Sequence, residues 1–167
     1  MHDAHYHYSK EINQLQNEYG IYGICNVANK EEYEIVNRQN LFYSCGVHPW
    51  NANLDTLESM LPLLKQASII GEIGMDSVWC DVNLEIQKEV FEKQLQLAKE
   101  WDKPVILHTK GQEKTILDLI RKYPNTYVVH WYGCMDYVKE YDEVVSYFTI
   151  TIPRPNSQKS SNNELSN

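Results

Sequence analysis

Short β-type runs alternate with longer amphipathic runs along most of the chain, and this order limits the folds open to it. Strands are predicted over residues 22–27, 41–47, 68–73, 105–108, 127–131 and 147–152, with 3–8 ambiguous by periodicity. Helices are predicted between them, over 10–19, 31–39, 55–66, 84–101, 113–122 and 135–144. Such a βαβα order favours parallel strands joined by right-handed crossovers, and both a doubly wound open sheet and a barrel fit it.

Length and charge narrow the possibilities further. A chain of 167 residues predicts one domain, yet it is short of the ~250 residues typical of a closed eight-stranded barrel. We predict a folded domain over residues 1–152 and a disordered polar tail over 153–167, where Leu165 is the only large apolar residue. The net charge of −8 argues against a partner held mainly through phosphate electrostatics, but it allows a nucleic-acid substrate bridged by metal ions.

The sequence predicts a cytoplasmic protein. Its four cysteines lie far apart without a C-x-x-C pair, which favours reduced thiols over a disulfide framework. The polar N-terminus lacks the apolar region of a signal peptide, and no run of about 18 apolar residues predicts a membrane span. The oligomeric state stays open.

Five polar residues lie in or next to predicted strands. His5 and His7 are two apart, so on a strand they share one face and can converge on one cation. Glu72 follows an apolar run, and His108 and His130 each end one. Taken singly, His5 and His7 are part of a polar N-terminus and Glu72 is a surface acid. The other two are core histidines. Together, at the end of the strands where α/β barrels carry their active sites, they predict a metal centre.

Other candidate residues give weaker signals. His48, in G-V-H-P-W, is either a loop histidine or a residue that contacts a metal or a substrate oxyanion. Lys110 could contact a phosphate, and the tryptophans at 79, 101 and 131 could stack on bases, although core and rim positions explain them more simply. The absence of G-x-x-x-x-G-K, G-x-G-x-x-G and G-x-S-x-G motifs excludes the common nucleotide-binding and serine-hydrolase patterns.

The ordered motifs D-A-H-Y-H, G-V-H-P-W, G-E-I-G-M-D, V-I-L-H-T-K and V-V-H-W-Y resemble the TatD family of metal-dependent hydrolases over residues 2 to about 150. The resemblance implies an α/β fold of the TIM-barrel type. It also implies one or two divalent ions, Zn, Mn or Mg, that activate water for hydrolysis of phosphodiester bonds, often in DNA. By position, it makes His5 and His7 ligands of one metal, His108 and His130 ligands of a second, and Glu72 the carboxylate shared by both. It makes His48 a contact to the substrate phosphate, so that Glu72 and His48 are the expected catalytic residues.

The chain also departs from the family pattern. Lys110 stands where the family commonly has Arg, and Trp131-Tyr132 where it commonly has Cys-Phe. No E-T-D-type motif, whose Asp completes the family's metal centre after an eighth strand, follows residue 130. We therefore expect an incomplete barrel of about seven strands with a partial metal site. Two alternatives stay open, a catalytically defective metal-binding remnant and an amidohydrolase that acts on C–N bonds.

Overall fold

A computed structural model of the protein describes residues 2–149. Within this range the chain forms seven strands and six α-helices in regular alternation. The strands are β1 (His2–His7), β2 (Tyr22–Val27), β3 (Tyr43–Cys45), β4 (Ile69–Asp76), β5 (Val105–Lys110), β6 (Tyr127–His130) and β7 (Tyr147–Phe148). The helices are α1 (Lys10–Tyr19), α2 (Lys30–Arg38), α3 (Leu54–Gln66), α4 (Leu84–Glu100), α5 (Glu113–Ile120) and α6 (Val138–Asp142), and a short 3₁₀ turn covers Pro49–Asn51.

The seven strands form one parallel sheet whose spatial order follows the order of the chain, from β1 to β7. A doubly wound sheet would reverse its strand order at a switch point, so the sequential order identifies the barrel type. The sheet is also curled, because the rings of His5 on β1 and His130 on β6 lie 4.1 Å apart although four strands separate them. These observations confirm a TIM-barrel-like α/β fold, of which residues 2–149 form seven strands.

Several element boundaries differ from the sequence predictions. β4 runs to Asp76, beyond the predicted end at 73, so Glu72 lies inside the strand and not at its end. Gly74 allows the close approach of β5 there, since a Cβ at this position would lie 1.9 Å from the His108 carbonyl oxygen. The helix predicted over 135–144 is shorter because Tyr137 adopts a left-handed backbone at its start. Residues 150–152 of the last predicted strand, and the predicted tail 153–167, lie outside the described residues.

Helix α4 shows how the helical layer supports the sheet. Its inward face is buried at Gln87, Phe91, Leu95 and Ala98, whereas Leu84 lies at the rim. The buried Gln87 side chain accepts from the Asp76 amide at 2.8 Å and donates to the Asp76 carbonyl at 3.0 Å. The helix therefore fixes the end of β4 by hydrogen bonds as well as by apolar packing. No helix among residues 2–149 is long and apolar enough to cross a membrane.

Candidate metal centre

Glu72 lies at the middle of a group of histidines. Its side chain is only 3% exposed, and its backbone N–H donates to Asn26 Oδ1 on β2 at 2.6 Å. One carboxylate oxygen, Oε1, lies 2.8 Å from His108 Nδ1. The other, Oε2, lies 3.1 Å from His5 Nε2 and 3.8 Å from His7 Nε2. Strands β1, β4 and β5 thus bring these side chains to one point inside the curled sheet.

The potential ligand atoms form two groups that share Glu72. His5, Glu72 and His130 place one atom each within 4.8 Å of one another, and so do His48, Glu72 and His108. His7 lies beside the first group, with its Nε2 atom 3.3 Å from His5 Nε2. Its side chain is 62% exposed, so it reaches the centre from the solvent side. All six residues singled out from the sequence therefore meet in one place, but His130 groups with His5 and not with His108, the partner that the resemblance implied.

Burial sets the protonation state of the centre. It lowers the pKa of His48 and of His130 from 6.5 to about 4. Both imidazoles are consequently neutral near pH 7, the state in which a ring nitrogen can ligate a metal. Burial alone would raise the pKa of Glu72, but hydrogen bonds with His108 and His5 hold it well below its usual range. Glu72 is therefore a carboxylate at neutral pH.

Asp76, at the end of the same strand, orients His108. Its Oδ2 atom lies 3.0 Å from His108 Nε2 and accepts from Trp50 Nε1 at 2.8 Å. Its Oδ1 atom accepts the backbone N–H groups of Val78 and Trp79 at 2.8 and 2.9 Å. Burial raises the pKa of Asp76, yet these hydrogen bonds outweigh it and lower the pKa overall. An ionised Asp76 favours a proton on His108 Nε2, so Nδ1 is the ring atom that either donates to Glu72 or, when a metal binds, ligates it.

The centre presents more acceptors than protons. With its proton on Nε2, His108 places the Nδ1 lone pair 2.8 Å from a Glu72 carboxylate oxygen, and two acceptors at this distance need a cation or a proton between them. The buried His5 Nδ1 atom also has no hydrogen-bond partner within residues 2–149. A set of imidazole nitrogens around one carboxylate is the donor set that a transition-metal ion prefers. The residues present therefore fit a divalent metal.

Sequence comparison identifies the family. A model of the TatD-related DNase family matches residues 2–165. The chain belongs to the TatD-related DNase family. It is 35% identical over 94 residues to an uncharacterized metal-dependent hydrolase, MJ1582, of Methanocaldococcus jannaschii, a match that covers 53% of this chain and 37% of that protein. It is 30% identical over 104 residues to the human 3'-5' RNA nuclease TATDN2, covering 58% of this chain and 14% of the human protein.

The fold agrees with this family assignment. A crystal structure of YjjV, a TatD homologue from Escherichia coli, superposes with a TM-score of 0.72 at 21% sequence identity. The superposition covers 88% of this chain and 66% of YjjV. The segments matched in the first curated relatives amount to 33–37% of the length of each. Within the TatD-related family, this chain thus shares the barrel architecture, and its matches span only part of its relatives.

Two of the three departures from the expected TatD pattern, at Lys110 and Trp131, lie beside the centre. Lys110 Nζ lies 4.6 Å from the ring centroid of Trp131 and 5.4 Å from that of Trp79. Trp101 lies elsewhere, at the end of α4, where its ring contacts Lys103. Of the three tryptophans considered from the sequence, two therefore lie at the mouth of the centre.

Sequence reasoning missed two polar residues that support the centre. Asp76 stands in the G-E-I-G-M-D motif but received no role, although its spacing of four from Glu72 places both on one face of a strand. Asn26 is buried on β2, and its Oδ1 atom also lies 3.4 Å from Ser44 Oγ. Only the alternation along β4 carried a usable signal, whereas the contact between Asn26 and Glu72 joins residues 46 positions apart.

Proposed function

We propose that this centre is the hydrolytic site of a metal-dependent enzyme that cleaves phosphodiester bonds in nucleic acid, with DNA as the first substrate to test. The observation that carries the proposal is the position of Glu72, whose Oε1 atom lies 2.8 Å from His108 Nδ1 and whose Oε2 atom lies 3.1 Å from His5 Nε2. A bridging carboxylate would set the short separation of two ions that stabilise the entering and leaving oxygens of a phosphoryl group. The family description, TatD-related DNase, and the human relative named as an RNA nuclease support this substrate class.

The ligands proposed for one or two divalent ions are His5, His7, Glu72, His108 and His130. Four imidazoles and one carboxylate suit Zn better than Mg or Mn, which prefer oxygen ligands. When bound, the metal supplies Lewis-acid activation of water and of the phosphoryl oxygen. Asp76 holds His108 in the tautomer that keeps Nδ1 free, and Asn26 holds the backbone of Glu72.

His48 is proposed to bind the substrate phosphate. The Trp50 backbone N–H points at His48 Nδ1 at 3.3 Å, which places the imidazole proton on Nε2. That Nε2 atom lies 3.2 Å from His108 Nδ1 and 4.0 Å from Glu72 Oε2, so its proton points into the centre. A neutral N–H donor in this position can hydrogen-bond to a phosphoryl oxygen and steady the charge that develops there.

The test is a nuclease assay on the purified chain, loaded in turn with Zn, Mn and Mg, together with metal analysis. We expect hydrolysis of a DNA oligonucleotide that Glu72→Gln abolishes and that Glu89→Gln, an exposed substitution on α4, leaves unchanged. Equal background activity in the wild-type chain and Glu72→Gln would overturn the proposal. Metal binding without hydrolysis would identify the defective remnant, and cleavage of amide but not phosphodiester substrates would identify an amidohydrolase.

A further inference from the structure

Trp79, Lys110 and Trp131 form a cluster at the mouth of the centre, referred to below as the tryptophan cluster. Trp79 follows Asp76 by three positions. Lys110 follows His108 by two positions, and Trp131 follows His130 directly. Strands β4, β5 and β6 are parallel neighbours, so their carboxyl ends bring these three residues together. Chain connectivity alone therefore places the tryptophan cluster next to the reacting groups.

The tryptophan cluster exposes aromatic surface around a cation. The two indole rings lie 6.1 Å apart with an interplanar angle of 38°, and Lys110 Nζ lies over both. Trp79 is 55% exposed and Trp131 45% exposed. Their spacing is too short for a third ring between them, so a further ring could stack only on an outer face of one indole. Two large aromatic side chains thus leave stacking surface in water beside a positive charge.

Both tryptophans are held by backbone contacts. Trp131 adopts a left-handed backbone with φ of 47°, an unfavourable conformation for a bulky residue. Its N–H donates to Thr149 Oγ1 at 2.9 Å and its carbonyl accepts from Lys110 Nζ at 2.9 Å. The N–H of Trp79 donates to Asp76 Oδ1. Neither residue is placed by burial in the core, so core packing does not account for this arrangement.

A second lysine–tryptophan pair in the chain gives a useful contrast. Lys103 lies 5.2 Å from the ring centroid of Trp101, on the segment that precedes β5. Its ammonium donates to the carbonyls of Leu64, Lys65 and Ala67, and so it ties α3 to the barrel. Lys110 has one carbonyl partner within residues 2–149, that of Trp131, so its remaining N–H groups are available to a ligand.

We propose that the tryptophan cluster stacks one unpaired nucleobase of the substrate while Lys110 contacts the adjoining phosphate. The inference rests on the proposed phosphodiesterase function and adds a base-binding subsite to it. An indole face is a platform for any base, since every base has a π-face, and the nearby cation matches the anionic backbone.

The experiment compares binding of two ligands to the metal-loaded chain by isothermal titration calorimetry, a readout that does not depend on the tryptophans. The first is a thymidylate decamer with phosphorothioate linkages, which resist hydrolysis, and the second is the same backbone without bases. We expect the wild-type chain to bind the thymidylate decamer about tenfold more tightly. The double substitution Trp79→Ala with Trp131→Ala should remove this preference, and Trp131→Phe should retain part of it because Phe still stacks.

The control is Tyr22→Ala, which removes an exposed aromatic ring at the start of β2, at the other end of the barrel. It should keep the full preference for the thymidylate decamer. A preference that survives in a folded double variant, or a wild-type chain that binds both decamers equally, overturns the subsite. If the double variant does not fold, the single variants Trp79→Phe and Trp131→Phe replace it. A preference for the thymidylate decamer that is undiminished in both of them overturns the subsite. A preference for bases without cleavage of any phosphodiester would refute the proposed function and leave the subsite standing.

Discussion

Two buried carboxylates on β4, Glu72 and Asp76, show how differently one strand can use the same functional group. Asp76 accepts from the Trp50 indole N–H and from two backbone N–H groups, all of which carry fixed protons. Glu72 faces imidazole nitrogens, whose protons depend on tautomer and ligand. The protein therefore satisfies Asp76 with fixed donors, whereas the hydrogen bonds of Glu72 depend on protons that the imidazoles lose when they ligate a metal.

The difference separates a positioning residue from a binding residue. A buried carboxylate with four donors is rigid and stays ionised without help from outside the protein. A buried carboxylate whose hydrogen-bond partners are themselves potential metal ligands is stabilised when a cation enters. Because His108 bonds to both residues, it links the rigid carboxylate to the one that binds.

The strongest test of the comparison is Glu72→Gln. We expect loss of both hydrolysis and bound metal, because the amide removes the charge shared by the two ligand groups. Zinc should raise the melting temperature of the wild-type chain, because an ion that binds only the folded state stabilises that state. At a zinc concentration a hundred times the dissociation constant, the free energy of unfolding rises by about 2.7 kcal/mol. The variant should show no such rise, and Glu89→Gln should behave as wild type. A zinc-induced rise that persists in Glu72→Gln would contradict this account of Glu72.

The next effect in size is expected from Asp76→Asn. Each Asp76 oxygen accepts two hydrogen bonds. The Asn side chain of the variant therefore places its NH₂ group against two donors, whichever way its amide is turned. His108 relieves one clash if its proton moves to Nδ1, where that proton occupies the ligand position. We expect zinc affinity to fall by about 10- to 100-fold, the usual cost of losing a partner of a metal ligand.

Nitrogen NMR of the His108 ring distinguishes this mechanism from simple loss of stability. The wild-type chain should carry the proton on Nε2 and Asp76→Asn should carry it on Nδ1. Asp55→Asn, in the exposed first turn of α3, is the matched control and should change neither the tautomer nor the affinity. An Asp76→Asn variant with weak zinc binding but an unchanged tautomer would refute the positioning role.

Much of the fold could be predicted from the sequence, because hydrophobic periodicity is a local property. The strand predicted over 22–27 and the helix over 10–19 match β2 and α1. The choice between an open sheet and a barrel was not local. It depends on which strands pair, and the sequential strand order decided it.

The candidate site was predictable only in part. His5 and His7 could be placed on one face by their spacing, and the strand-end histidines by the rule that parallel strands end together. The role of Asp76 required the end of β4, which the apolar run did not mark, since Gly74 and Met75 carry no clear signal. The contact between Trp79 and Lys110 depends on loop conformation after the strands, which periodicity does not describe.

The pH dependence of stability tests the buried imidazoles. Burial lowers the pKa of His48 and His130 from 6.5 to about 4, so between these values the unfolded chain binds more protons than the folded one. The free energy of unfolding of the metal-free chain should therefore rise from pH 4 to 6.5 and lose this dependence above. Each group contributes at most about 3 kcal/mol.

Urea unfolding in EDTA across this pH range measures the slope. His130→Gln should remove from this slope the part that His130 contributes. His2→Gln, an exposed change on β1, should leave the slope as in the wild type. The lowered pKa values of Glu72 and Asp76 act in the same direction at more acid pH, so they do not reverse the sign. Stability that increases on acidification would contradict the buried neutral imidazoles.

The smallest effect should come from Trp50→Phe, which removes one of the four donors to Asp76. Trp50 is 51% exposed, so water can replace the lost indole N–H, and we expect a loss of about 1 kcal/mol in the free energy of unfolding. Zinc affinity should change by less than tenfold, because His108 keeps its bond to Asp76.

Trp101→Phe, away from the centre, is the control for losing an indole and should not alter zinc affinity. If Trp50→Phe weakened zinc binding as much as Asp76→Asn, Asp76 would act through Trp50 and not through His108, and its distinction from Glu72 would need a different physical basis.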